Sequence, residues 1–395
     1  MSIGATLLLS SSTVLPDADS REGLDPSTIP QGDGSSPADA GTSPAWRRSD
    51  ERPPERIGTP TIPRRYATST IHGESRVSRP DQPALRSADA ELLQLLTLLR
   101  DRDYRFVTPT PATHARILAR PDRQDARCVE DMLGWSLPYR PGDCDPAIEA
   151  LLDRAGLTAP AGDRRRATIR VSRLHDHLFI HSAYPTDDAD AVFFGPDSYR
   201  FADLIRDELR DCPARDGAQM VDIGTGSGVG GLVAATACPG LRIHMTDVNP
   251  AALRFARINA AAAGIRADFH ESDSLAAIAG EIDVATANPP YVIDSGKRLY
   301  RHGGAMHGGQ VSLDMAVMAM DRLAPAGRLI LYTGSAIVRG HDQLAAALAE
   351  AAAARGCTMR YREIDPDVFG EELENDLYRD VDRIALVAAV VTRAG

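Results

Sequence analysis

From about Phe193 onward the chain alternates short apolar runs with helical stretches, and this alternation limits the possible folds more than any other feature. Met220–Asp222, Leu241–Asp247, Ala267–His270, Ile282–Ala287 and Arg328–Tyr332 read as strands. Val229–Cys238, Pro250–Ala263, Leu313–Leu323 and Gln343–Ala354 read as helices. Strands joined through helices must run parallel, since each crossover returns the chain to the same end of the sheet. Cys357–Glu363 and Arg383–Thr392 have no helix between them, so they should pair antiparallel. The pattern predicts an α/β fold: a doubly wound, mostly parallel sheet of seven strands that ends in an antiparallel pair. Asn249 should cap the helix that opens at Pro250.

Upstream the pattern differs. Residues 1–85 hold 11 of the 27 prolines and few apolar side chains, so a disordered tail is expected there. Its eight arginines between Arg47 and Arg79 are read as solvated. Residues 86–185 read as a small α+β domain that selects the substrate, leaving 186–395 as the catalytic domain. Helices are expected over Ala88–Leu99, His114–Ala119 and Pro146–Leu152, then a hairpin of Ala167–Val171 with His177–His181. His175, His177 and His181 would share a strand face, but no cysteine or repeated carboxylate accompanies them at ligand spacing. No metal is expected. Arg164, Arg165, Arg166, Arg170 and Arg173 could meet phosphates. However, only Lys297 among the 44 basic residues is a lysine, so arginine clusters carry little weight.

Composition narrows the function classes. A net charge of −11 argues against a protein held mainly by nucleic-acid phosphates. Cys128, Cys144, Cys212, Cys238 and Cys357 are odd in number and form no C-x-x-C pair, which points to reduced thiols. No apolar run is long enough for a membrane helix, and the N-terminus lacks the basic start of a signal peptide. The expectation is a soluble, cytoplasmic protein.

The run Val221-Asp222-Ile223-Gly224-Thr225-Gly226-Ser227-Gly228-Val229-Gly230-Gly231 joins the first strand of the sheet to the first helix. Glycines at such a turn let a ligand approach main-chain N–H groups. Asp247, 21 residues after Gly226, ends the next strand, where a carboxylate can accept from ribose hydroxyls. A dinucleotide fits these two features as well as another adenosine ligand does. Asp222 favours the second, because an acid beside the loop suits a cation and repels a pyrophosphate.

The fourth strand closes with Ala287-Asn288-Pro289-Pro290-Tyr291. Two prolines remove two donors and stiffen the turn, leaving the Asn288 side-chain oxygen and the Pro289 carbonyl as acceptors. The D-x-G-x-G-x-G loop, the ribose acid and this N-P-P-Y turn, in that order, resemble the class I S-adenosylmethionine-dependent methyltransferases that modify planar nitrogens. The resemblance spans roughly residues 186–395 and implies a Rossmann-like methyltransferase sheet. It implies cofactor contacts from Asp222, Gly224, Gly226, Gly228, Asp247, Asp273 and Asn288, with Asp273 receiving the adenine amine. It also implies that Asn288 and Pro289 hold the target NH2 while the ring of Tyr291, rather than its hydroxyl, packs on a planar substrate.

Phe193-Phe194-Gly195-Pro196-Asp197-Ser198-Tyr199 stands where release-factor-type glutamine methyltransferases carry a cofactor-flanking segment, though without its arginine–proline pair. His302 and His307 in the glycine-rich stretch after N-P-P-Y are candidate proton acceptors. The implied acceptor is a protein glutamine amide, an RNA base amine or a small or peptidic metabolite. The rival readings are a non-catalytic binding protein on the same fold and a nicotinamide oxidoreductase.

Overall fold

The computed structural model describes residues 87–294, 296 and 298–395; the expected tail over 1–85, with its arginines, lies outside the described residues. The first elements are α1 (Ser87–Asp101), α2 (Pro111–Leu118), α3 (Val129–Leu133) and α4 (Pro146–Ala155). Two hairpins follow, β1 (Thr158–Ala161) with β2 (Arg164–Ala167), and β3 (Ile169–Leu174) with β4 (His177–Ser182). Then come α5 (Pro196–Asp211), β5 (Gln219–Ile223), α6 (Val229–Ala237), β6 (Arg242–Asp247), α7 (Pro250–Ala262), β7 (Ala267–Glu271) and β8 (Ile282–Ala287). The chain closes with α8 (Gln310–Met320), β9 (Leu323–Val338), the two-residue β10 (His341–Asp342), α9 (Gln343–Ala354), β11 (Cys357–Asp365) and β12 (Arg383–Arg393).

The central sheet has the order β11-β12-β9-β8-β5-β6-β7, with β10 attached to β9. The pairs from β9 to β7 are parallel, and β12 lies antiparallel between β9 and β11. The doubly wound sheet with its antiparallel end is thus as the alternation implies. All five residues of β5 are buried, as a central parallel strand covered on both faces requires. Strand order reverses at β5, whose neighbours are β8 and β6. At such a switch point the loops leave in opposite directions and open a crevice at the carboxyl ends of the strands. Ile223 pairs with Ala287, so the glycine loop after β5 and the N-P-P-Y turn after β8 begin side by side.

Side chains close the approach of α6 to the sheet. A Cβ on Gly230 would lie 2.1 Å from the Asp222 carboxylate, and one on Gly231 would lie 2.3 Å from the Met245 side chain. Only glycine permits that contact. Asn249 caps α7 as expected, its side chain accepting from the Ala251 amide. On the other side of α7, Ala252, Phe255 and Ile258 share a buried cluster with Leu92, Leu95 and Leu99 of α1 and Ile148 and Leu152 of α4. Asn259 of α7 accepts from the Ile180 amide at 2.9 Å and donates to the Ser227 carbonyl at 2.9 Å. One buried amide therefore ties β4 to the glycine loop.

Several local expectations need correction. The β1–β2 hairpin has no alternating apolar signal, since β2 reads Arg-Arg-Arg-Ala, and it was not anticipated. Helix α8 starts at Gln310 instead of Leu313, and β9 runs well past both ends of Arg328–Tyr332. The three histidines do not converge. His175 sits in the turn with φ +50°, His177 bonds Thr236 at 2.9 Å, and buried His181 bonds Ser172 at 2.8 Å. The arginine cluster is largely neutralised: Arg164 pairs with Asp125, Arg165 with Asp153 and Arg173 with Asp103. Arg170 is buried against His114.

Candidate active site

A cavity of about 500 Å³ opens at the carboxyl edge of β5, β6 and β8. Its first wall is the glycine loop. Gly224 and Gly226 line it with φ of +64° and +56°, a left-handed backbone that turns the chain and bares its amides. Gly226 donates its N–H to Asp247 at 2.9 Å, and Asn249 donates to the other Asp247 oxygen at 2.9 Å. A carboxylate offers about four lone-pair sites. Asp247, at the cavity wall, therefore retains acceptor capacity for a ligand diol. Burial raises its pKa, opposed by these backbone donors. Val248, Ser272, Asp273 and Ser274 continue the wall. Asp273 is exposed and followed by a turn, so it caps no helix.

Two of the sequence-derived residues lie elsewhere. Gly228 sits behind the loop as the N-cap of α6, where a side chain would press on Ala256 and Leu232. Asp222 is buried and does not line the cavity. Its carboxylate accepts from Thr225 at 2.5 Å, Thr286 at 2.7 Å and the Gly231 amide at 3.0 Å. Burial pushes its carboxyl up to about 6. The acid beside the loop thus braces the loop, β8 and the start of α6 against one another and does not face a ligand.

The second wall is the turn after β8. Asn288, Pro289, Pro290 and Tyr291 all line the cavity. Among the described residues the Asn288 side chain has no hydrogen-bond partner within the protein, while its neighbours on either side are fixed. Tyr291 is 9 % exposed. Its hydroxyl donates to Asp197 at 2.6 Å, and Tyr332 of β9 donates to the same carboxylate at 3.1 Å. The Tyr291 ring lies so close to Gly334 that a Cβ there would be 2.3 Å from it, and it meets Phe369 edge-on at 5.7 Å. The sequence reading concerned the face of the Tyr291 ring; the structure adds a hydroxyl bond to Asp197.

The segment after N-P-P-Y forms the mouth. Tyr300 stacks on Phe193 at 5.6 Å with planes 6° apart. Arg298 pairs with Asp294 at 2.6 Å, and Arg301 pairs with Glu372 from the β11–β12 connection. His302 lines the cavity and accepts from the Asp294 amide at 3.3 Å. His307 faces Asp380 at 3.1 Å and lies outside the lining. Only His302 of the two histidines therefore reaches the site. Among the described residues no group of side chains is placed to hold a metal ion, and no helix is long and apolar enough to cross a membrane.

Residues 209–350, just over a third of the chain, match the methyltransferase small domain family. The release factor glutamine methyltransferase of Deinococcus radiodurans is 28 % identical over 295 residues, covering 71 % of this chain and 96 % of its own. That of Rhodospirillum rubrum is 31 % identical, covering 53 % of this chain and 64 % of its own. These matches make the chain a methyltransferase.

Among solved structures, TYW2 of M. jannaschii in complex with AdoMet aligns with a TM-score of 0.39 at 12 % identity, covering 57 % of this chain and 87 % of its own. A methyltransferase from Pyrococcus furiosus aligns with a TM-score of 0.35 at 17 % identity, covering 52 % and 89 %. In this methyltransferase sequence reasoning missed Phe369, which lines the cavity, and the contacts made by Asp197 and by the Phe193–Tyr300 pair, although it had marked the segment 193–199 and the stretch after N-P-P-Y. Phe193, Asp197 and Phe369 come from segments distant in the chain from N-P-P-Y, whereas Tyr300 closely follows it. The one local signal was the Pro196-Asp197 start of α5, an acid at a helix N-terminus.

Proposed function

We propose that the methyltransferase moves a methyl group from S-adenosylmethionine to the side-chain nitrogen of a protein glutamine. The observation that carries this reading is the position of Asn288 and Pro289. They share one cavity with the glycine loop, and the Asn288 amide is unpaired among the described residues. Bound S-adenosylmethionine supplies an electrophilic methyl group on a positively charged sulfur. In this reading Asp247 accepts from its ribose hydroxyls, Gly224 and Gly226 present backbone to its amino-acid end, and Asp273 receives the adenine amine. Asp222 and Gly228 support these contacts from behind.

An amide nitrogen is a poor nucleophile, because its lone pair is delocalised into the carbonyl. The Asn288 oxygen and the Pro289 carbonyl accept its two N–H bonds and turn the lone pair toward the methyl group. These acceptors strengthen as positive charge grows on nitrogen, so their contribution falls on the transition state. No strong base is required, since the methylated amide cation sheds its proton readily. Two features favour protein over RNA as the acceptor: the similarity to release factor glutamine methyltransferases, and the ion pairing of Arg164, Arg165 and Arg173 with carboxylates. The five cysteines, all free, fit a reducing cytoplasm.

The test is incubation of the full chain with labelled S-adenosylmethionine and a purified bacterial release factor, followed by peptide mass spectrometry. The expected product carries one methyl group on a glutamine side-chain nitrogen. Label found only in ribonuclease-sensitive material, or in neither fraction, would reject the glutamine reading.

A further inference from the structure

The N-P-P-Y turn is held in place by an acid far from it in the chain. Asp197 sits at the second position of α5, just after Pro196, and is 7 % exposed. Both its oxygens are used: one takes the Tyr291 hydroxyl at 2.6 Å, the other the Tyr332 hydroxyl at 3.1 Å. Tyr291 is three residues after Asn288. Tyr332 follows Leu331, the β9 residue paired with Ala287, the last residue of β8. The carboxylate therefore bridges the turn after β8 and strand β9. The start of α5 is itself fixed. The Tyr199 hydroxyl accepts from the Thr108 amide at 3.1 Å, Phe194 stacks on His181 at 4.9 Å, and Arg200 pairs with Asp365 of β11 at 3.2 Å.

We propose that Asp197 is the positioning residue of the acceptor turn: by binding both tyrosines it fixes Tyr291 and hence the direction of the Asn288 amide. This rests on the reading of Asn288 as the acceptor-holding group. Three physical reasons support it. Burial pushes the Asp197 carboxyl up, and the two tyrosine hydroxyl bonds, at 2.6 and 3.1 Å, oppose that shift and favour a charged acceptor there. The N-terminal turn of α5 adds favourable partial charge to the same group. The Tyr291 ring cannot shift toward β9, because Gly334 already touches it, so its hydroxyl bond sets the remaining freedom. Asp197 touches neither reacting atom and acts through Tyr291.

The test uses the full chain and two kinds of variant: Asp197→Asn, which keeps the shape, and Tyr291→Phe, which removes only the hydroxyl. The acceptor-free measurement is NMR on protein with carbon-13 at the hydroxyl-bearing ring carbon of tyrosine and nitrogen-15 in the asparagine side chains. Signals are assigned by Tyr291→Phe, Tyr332→Phe and Asn288→Ala. Asp197→Asn is expected to move both tyrosine signals and the Asn288 amide pair. With release factor as acceptor, Asp197→Asn and Tyr291→Phe should each lower kcat roughly 10- to 100-fold. The double variant should fall no further than the worse single, and the S-adenosylmethionine Kd should hold within about twofold. An unmoved Asn288 signal overturns the proposal. So do additive losses, or a Kd that weakens in parallel with kcat, which would make Asp197 a direct cofactor ligand. If the wild type leaves release factor unmethylated, the glutamine reading fails, and the NMR result alone decides the role of Asp197.

Discussion

The two ends of the cavity are built by different means. The end read as the cofactor's comes mostly from one stretch of chain, Asp222 to Asp247, a strand, a loop, a helix and the next strand, with Ser272 to Ser274 added after β7. Its geometry is carried mostly by backbone: glycine φ values, amide N–H groups and one acid that accepts two of them. The end read as the acceptor's is assembled from separated segments: 193–201, 288–294 with 298–302, 332–334 and 369–378. Its geometry is carried by side chains, such as Tyr291 on Asp197, Arg301 on Glu372 and the Ile293 amide donating to Tyr378 at 2.6 Å. Backbone cradles suit a cofactor that does not vary. Side-chain walls can change with the substrate while the sheet stays the same.

Variants should separate the ends. The largest effect is expected at the acceptor end. Asn288→Ala should cut kcat by roughly 100- to 1000-fold, about 3–4 kcal/mol, by analogy with loss of one preorganised hydrogen-bond partner. Steady-state methylation of release factor checks this, and a loss confined to KM would mean that Asn288 serves ground-state binding.

Next comes the brace at the cofactor end. The Asp222 carboxyl is raised by burial to about 6, above the ordinary carboxylate value near 3.9 of an unfolded chain. A group raised in this way favours the folded state when protonated. Its contribution is full below pH ~4 and is lost as pH rises through ~6. Asp222→Asn removes that ionisation. The stability difference between wild type and variant, measured by urea unfolding, should shift by about 2–3 kcal/mol against the wild type between pH 4 and 7. A difference that does not change with pH would show that Asp222 folds without a raised pKa.

Asp247→Ala should weaken S-adenosylmethionine binding by roughly 1–3 kcal/mol, since it strands the Gly226 amide and the ribose hydroxyls together. The smallest effect belongs to the partly exposed rim. Glu372→Gln should cost about 0.2–1 kcal/mol, seen as a rise in acceptor KM with cofactor affinity unchanged. A larger loss of cofactor binding would show that the β11–β12 connection braces both ends.

What the sequence revealed follows the same division. The sheet and the cofactor loop were legible because periodicity, glycines and a following acid lie within a few dozen residues. Asp247, Asn288 and Pro289 were found, and they line one cavity. Asp222 was recognised but misread: an acid at a strand end looks the same from sequence whether it faces a ligand or, as here, Thr225, Thr286 and Gly231. The grip of Asp197 on Tyr291 spans 94 positions, and no local pattern encodes such a pairing. Phe369 was equally hidden, because a lone aromatic between two strands carries no period. The β1–β2 hairpin was missed because its arginines are held by acids from elsewhere in the chain, which single-strand patterning cannot anticipate.

The division of labour itself is tested most directly by titrating S-adenosylmethionine into wild type, Asp247→Ala and Asn288→Ala side by side by calorimetry. The account predicts a clear loss of affinity for Asp247→Ala and a wild-type Kd for Asn288→Ala. Equal weakening in both, or a loss in Asn288→Ala alone, would contradict it.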